Sequence, residues 1–238
     1  MNEQFAIIPD IAVVVAAGGS GCRFGGNKLL SRLAGDGEPI FVRCLGNILG
    51  AGVRLVVSTK CRCALEGLLP PQVDVLWAPG GASRSESVWN GLCALAESGN
   101  SSPWIAVHDA ARPLATYGLL LSCWRRLVES GADGVVPVHP VADTIHCVSP
   151  EGELLSTPAR PSLRGAETPQ VFRREVLIGA YSRWHDSPGD FSDDASLVRA
   201  LLPQSRILLL ENSSCNRKIT YPEDCFLGFG APRPPMPR

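Results

Sequence analysis

Val13-Val14-Val15-Ala16-Ala17-Gly18-Gly19-Ser20-Gly21-Cys22-Arg23-Phe24-Gly25-Gly26-Asn27-Lys28 decides the fold. It opens as an unbroken apolar run, the pattern of a parallel strand buried on both faces. It then passes into a loop with five glycines and two isolated cations, Arg23 and Lys28. Glycine lets backbone approach a ligand with no Cβ in the way, and successive N–H groups in such a loop form an anion-binding concavity. The two cations make the loop suited to a polyphosphate. The competing reading is an ordinary glycine-rich turn between a strand and a helix, because a lone glycine-rich loop is weakly specific.

The pattern continues outward as alternating elements. Residues 29–33 read as a short extended piece. Residues 39–49 read as a helix with Ile40, Phe41, Cys44, Leu45, Ile48 and Leu49 on one face. Strands follow at 53–58, 73–77, 104–107 and 134–138, with helices at 61–69, 83–98 and 117–130. Alternation of this kind predicts βαβ units, a mostly parallel sheet covered on both faces, and a ligand crevice beyond the carboxyl ends of the strands. The polar clusters after Ala17, Trp77, Val107 and Val138 are expected to converge on that crevice. Between Pro140 and Thr168 the pattern changes. Val141, Thr144, Ile145, Val148, Leu154 and Leu155 flank a Ser149-Pro150-Glu151-Gly152 turn, which predicts a β-hairpin arm with an edge that a second subunit would cover. Residues 172–184 then read as a helix, Asp193-Asp194 as the start of another ending at Leu201, and 207–210 as a last core strand. A terminal helix is expected to start at Pro222-Glu223-Asp224. The expected organisation is a three-layer α/β Rossmann-like domain over residues 1–230, with the arm at 141–161 and a disordered proline-rich tail at 231–238.

Composition narrows the class. The 238 residues carry a formal net charge of −1, so nothing global attracts nucleic acid or an anionic membrane, and any anion site has to be local. Nine scattered cysteines without paired CxxC spacing predict reduced thiols, hence a cytoplasmic protein. No basic leader or membrane-length apolar run is visible. The four histidines lack HExxH spacing, so no protein-held metal is expected. There is no G-x-S-x-G elbow for a serine hydrolase. Lys28 is followed by Leu29, which disfavours a P-loop ATPase, and the loop begins G-G-x-G, which disfavours a dinucleotide enzyme.

Other segments carry candidate chemistry. His108-Asp109-Ala110-Ala111-Arg112-Pro113 ends a strand with an acid, a cation and small residues. It reads either as a polar-substrate site or as a capped loop with a local ion pair. Gly80-Gly81-Ala82-Ser83 up to Ser87 reads as a base or phosphate contact at a helix entry, or as a simple N-cap. Arg160, Arg164 and Lys218 are single cations that only their neighbours could lift above ordinary surface residues.

Taken in order, these motifs resemble the 2-C-methyl-D-erythritol 4-phosphate cytidylyltransferase family. The matching pieces are Ala17 to Phe24 with Lys28, Gly80 to Arg84 with Ser87-Val88, Val107 to Pro113, and Pro140 to Thr144. They continue with Thr168-Pro169-Gln170, Asp193 to Ser196 and Asn216 to Asp224. The resemblance implies transfer of a cytidylyl group from CTP to a polyol phosphate, with Mg²⁺ held mainly through the CTP phosphates, in a homodimer joined through the arm. It also implies residue roles. Arg23, Lys28, Arg160 and Lys218 would be catalytic, with Arg160 donated across the dimer. Ala17, Gly18, Gly19, Ser20, Gly21, Gly81, Ala82, Ser87, Asp109 and Ala110 would bind the nucleotide. Asp109, Arg112, Thr144 and Thr168 would bind the alcohol. The chain departs from the family pattern in a short link between Arg23 and Lys28, in His146 at a usual lysine, and in Ala82 at a commonly acidic position. A ribitol 5-phosphate cytidylyltransferase and a non-catalytic nucleotide-binding module are the competing readings.

Overall fold

The structure is a computed structural model that describes residues 10–19, 24–35, 37–213 and 215–226. Ser20, Gly21, Cys22 and Arg23, and the tail at 231–238, lie outside the described residues. The element order is β1 (Ile11–Ala16), α1 (Ile40–Ile48), β2 (Val53–Thr59), α2 (Arg62–Glu66), β3 (Val75–Pro79), α3 (Arg84–Glu97), β4 (Trp104–Asp109), α4 (Tyr117–Ser130) and β5 (Gly134–Pro140). Then come β6 (Cys147–Val148), β7 (Leu154–Ser156), β8 (Arg164–Ala166), β9 (Gln170–Arg173), α5 (Arg174–Asp186), α6 (Asp194–Leu201) and β10 (Ile207–Glu211).

The sheet runs β10-β5-β9-β4-β1-β2-β3, with β8 on β5. β1 pairs in parallel with β2 and β4, so Ala16 lies level with Ser58 on one side and Asp109 on the other. Alternate side chains of β1 leave on opposite faces, as the two-residue period of a strand requires. Val13 and Val15 join the core under α1 and α4. Ala12 and Val14 join the core under α3, α5 and α6. The result is three layers, and residues 11–15 of β1 are fully buried because both of its faces are covered.

Several expectations are corrected. Residues 29–33 are not extended: Lys28–Leu30 is a 3-10 turn, followed by a single bridge between Arg32 and Pro39. The helix expected at 61–69 is helical only over Arg62–Glu66 and continues as turns before Pro70-Pro71. Phe172 is not helical. It lies in β9, antiparallel between β4 and β5 and opposite Ile105 and Gly134, and α5 begins only at Arg174. The apolar spacing of 172–184 fits a helix locally, but strand pairing on both sides overrides that preference. The strand at 207–210 is an edge, not a core element, with Leu209 56% exposed. The segment starting at Pro222 is a 3-10 turn, Pro222–Phe226.

The hairpin forms as expected. β6 and β7 pair antiparallel, and Gly152 takes φ +89° in the turn, a conformation that L side chains rarely adopt. Val148, Leu154 and Leu155 are 60–65% exposed, so the arm buries little of its own apolar surface. Among the described residues, no helix is long and apolar enough to cross a membrane, and the described cysteines are free thiols.

Candidate active site

The carboxyl ends of β1, β2, β3 and β4 open into one cavity of about 430 Å³. The segment after β5 does not join it, because β9 is inserted between β4 and β5 and residue 141 onward leads into the arm. One wall is Ala16 to Gly19, facing Ala82 to Ser87 at the entry of α3. The Ser87 hydroxyl fixes the second of these walls: its Oγ donates to Ser83 O at 2.9 Å and accepts from Gly81 N at 3.0 Å. A Cβ at Gly18 would come within 2.5 Å of that oxygen, so glycine is required for the two walls to approach. Ser83 is the N-cap, accepting from Glu86 N.

The opposite wall is charged. Asp109, at the end of β4, accepts from Arg84 Nε at 2.9 Å on Oδ1 and from Lys218 Nζ at 2.8 Å on Oδ2. Burial alone would push this carboxyl up, but Arg84, Lys218 and Arg112 more than reverse that and hold it well below the usual carboxylate range. Arg84 also donates from Nη2 to Asp194 Oδ2 at 2.7 Å, and Asp194 Oδ1 accepts from Tyr181 OH at 2.6 Å. Asp194 is fully buried, so this chain of charges anchors the cavity wall to α5 and α6.

The segment from Asn216 to Asp224 is laid across the site by side chains at fixed intervals. Asn216 Nδ2 donates to Glu167 Oε2 and Thr168 O, at 3.0 and 2.8 Å. Ile219 N donates to Ala111 O, and Lys28 Nζ donates to Ile219 O at 3.1 Å. Asp224 Oδ2 accepts from the N–H groups of Thr220 and Tyr221. The distinctive residues of this stretch are therefore the fasteners that bring Lys218 and Thr220 to the cavity.

The expected site residues divide into groups. Ala17, Gly18, Gly19, Lys28, Ala82, Ser87, Asp109, Ala110 and Lys218 line the cavity. Gly81 is held at its edge by Ser87. Arg112 and Thr168 do not line the cavity; they brace the residues that do. The Arg112 guanidinium donates to Asn216 O and Ala166 O. The Thr168 hydroxyl, buried, accepts from Asp109 N at 3.0 Å and lies 2.8 Å from His108 Nδ1. Thr144 is exposed on the arm, and Arg160 sits at its base, donating to Ala142 O; neither lines the cavity. Sequence reasoning missed Arg84, Asp194 and Lys60 as parts of this site. Arg84 stands in the motif quoted above, but nothing local shows that its partners come from β4 and α6.

The His108 imidazole is fully buried, and a neutral ring can accept from the Thr168 hydroxyl through Nδ1. Burial pushes it down to about 4, with the Arg112 and Arg84 charges acting in the same direction. Between its ordinary value of 6.5 and about 4, the unfolded chain takes a proton that the folded chain refuses, so folding weakens as pH falls through that window. Urea unfolding is expected to show a loss of about 2 kcal/mol between pH 6.5 and pH 5. A flat profile over that range would mean that His108 is charged or solvated.

Asp109 is the one carboxylate among the described lining residues, and two cations already occupy it. Among the described residues no three acidic, histidine or cysteine side chains gather into a metal cage. The described lining suits a divalent ion that arrives on ligand oxygens and keeps its waters, which is the habit of Mg²⁺ on phosphates.

The family model described as IspD: 2-C-methyl-D-erythritol 4-phosphate cytidylyltransferase matches residues 11–228. The bifunctional enzyme IspD/IspF of Caulobacter vibrioides is 37% identical over 217 residues, which are 90% of this chain and 54% of that protein. The chain thus spans about half the length of that relative. A 2-C-methyl-D-erythritol 4-phosphate cytidylyltransferase of Symbiobacterium thermophilum is 36% identical over 220 residues, 90% of this chain and 89% of its own length. The crystal structure of the protein of that name from Thermus thermophilus superposes with a TM-score of 0.70 at 28% identity, covering 91% of this chain and 95% of the other. The family match begins at the first residue of β1 and takes in every element that builds the cavity, so the chain belongs to the 2-C-methyl-D-erythritol 4-phosphate cytidylyltransferase family.

Proposed function

We propose that the protein joins CTP to 2-C-methyl-D-erythritol 4-phosphate, giving the CDP-linked alcohol and pyrophosphate, as a step in making isoprenoid precursors. The observation that carries this is the cavity, with a close-packed glycine wall on one side and lysine and arginine groups around one carboxylate on the other. The substrate's phosphate oxygen attacks the α-phosphorus of CTP, a new P–O bond forms, and the bond to the β-phosphate breaks to release pyrophosphate. Two polyanions have to meet, so the protein's work is mainly positioning and charge neutralisation. Lys28 and, by family resemblance, Arg23 stabilise charge on the α-phosphate and the leaving group. Backbone N–H groups of Ala17, Gly18 and Gly19 cradle the triphosphate, a role the family resemblance extends to Ser20 and Gly21. Gly81, Ala82 and Ser87 meet the cytosine and ribose. Asp109 and Ala110 stand between the two substrates, and Lys218 orients the attacking phosphate. Mg²⁺ would be held mainly by the nucleotide itself and would supply charge neutralisation at its phosphates.

Arg112 and Thr168 serve the alcohol by fixing Asp109. Arg160 and Thr144, out of reach of their own chain's cavity, would act on a second subunit's site. The exposed Val148, Leu154 and Leu155 support an arm-mediated homodimer. The proposed domain is that of residues 1–230, whose described elements run from Ile11 to Phe226, and the free thiols suit the cytoplasm.

The test is pyrophosphate release with CTP and Mg²⁺, offering methylerythritol phosphate or ribitol 5-phosphate. Release only with the first is expected. Release only with ribitol phosphate would move the protein to the sibling activity, and none with either would leave a binding module. Light scattering on the same sample is expected to give twice the chain mass, and a single-chain mass would remove the arm from the site.

A further inference from the structure

Four described cations line the cavity, and three are already engaged by the protein. Lys218 is held by Asp109, Arg84 by Asp109 and Asp194, and Lys28 by Ile219 O. The fourth is Lys60, which follows β2 and is exposed. Its ammonium makes no hydrogen bond or ion pair with any described residue. Its place is fixed from below: Gly80 N donates to Thr59 O at 3.0 Å, and a Cβ at Gly80 would come within 2.9 Å of Lys60 Cγ. The lysine stem therefore lies against Gly80, immediately before the Gly81-Ala82 stretch, and Gly80 in turn packs against Gly18. β2, which Lys60 follows, lies on the other side of β1 from β4 and its Asp109.

We propose that Lys60 is a further nucleotide-binding residue that donates to the pyrimidine end of the bound nucleotide, not to its phosphates. The inference rests on the CTP reading of the site. An ammonium offers three donors and no acceptor, which suits the ring carbonyl and ring nitrogen of cytosine, both acceptors. Ala82 brings no side-chain polar group to this wall, and Glu86 is turned back onto Ala82 N. Lys60 supplies the charged donor there. Such a contact forms equally with bound nucleotide and in the transition state, so it acts on affinity and not on turnover.

The experiment compares the wild type with Lys60→Met and Lys60→Arg, using CTP as substrate and inorganic tripolyphosphate as competitor, both with Mg²⁺. Lys60→Met is expected to raise the KM for CTP by about tenfold, the size of one charge-assisted hydrogen bond, with kcat within about twofold. Tripolyphosphate inhibition stays unchanged, and Lys60→Arg recovers part of the loss. An unchanged KM, a loss that falls on kcat, or an equal weakening of tripolyphosphate would each overturn the assignment while leaving the CTP reading in place. A wild type that holds CTP no better than tripolyphosphate would overturn both.

Discussion

Lys218→Ala is expected to lower turnover by about 10²–10³-fold while CTP affinity stays within about threefold. The Lys218 side chain is 37% exposed, and its ammonium faces the cavity from its ion pair with Asp109. One donor is engaged by that carboxylate, which leaves others for an incoming phosphate. Removing the ammonium takes away a positive charge where two anions must approach. It also leaves the Asp109 carboxylate with less neutralisation, so a repulsive charge is uncovered beside the reacting groups. The effect belongs to the meeting of the substrates more than to the hold on CTP, whose cradle lies along Gly18 and Gly19. Steady-state kinetics paired with equilibrium titration of CTP separate the two. If nucleotide binding collapses and turnover of the bound complex survives, Lys218 acts on CTP and its role here is misplaced.

Asp194→Ala is expected to destabilise the fold by about 3–5 kcal/mol, because it leaves one side of a largely buried cation and a buried phenol without a partner. Asp194 is fully buried and holds both Arg84 and Tyr181. In a chain of this size the midpoint of thermal unfolding would fall by roughly 10 °C. Arg84, freed on one side, keeps only Asp109, so activity should drop in the molecules that remain folded. A thermal shift under about 2 °C would show that Arg84 is satisfied by Asp109 and solvent alone.

Much of this architecture was legible from local pattern. The apolar run of β1 has one stable home, a strand covered on both faces, and its abrupt change to glycine marks the strand end where ligands sit. The Ser149-to-Gly152 turn between alternating apolar residues announces the arm in the same way. β9 was hidden because Val171 and Phe172 carry a spacing that suits a helix, and their antiparallel partners are more than sixty residues away in β4.

The candidate site divides along the same line. Glycines, Lys28, Asp109 and Lys218 could be picked out because their residue types suit phosphate chemistry in any fold that brings strand ends together. The sequence by itself determined the parallel α/β class, the anion-binding loop and the family, since these rest on period, composition and ordered motifs. Only the tertiary structure decided that Asp194 is a buried counter-charge as well as a helix start, that Arg112 and Thr168 brace the site from outside the cavity, and that Lys60 enters the cavity. The physical reason is that charge pairing and burial depend on distances between residues far apart in the chain, such as the 110 positions between Arg84 and Asp194, and no local spacing encodes them.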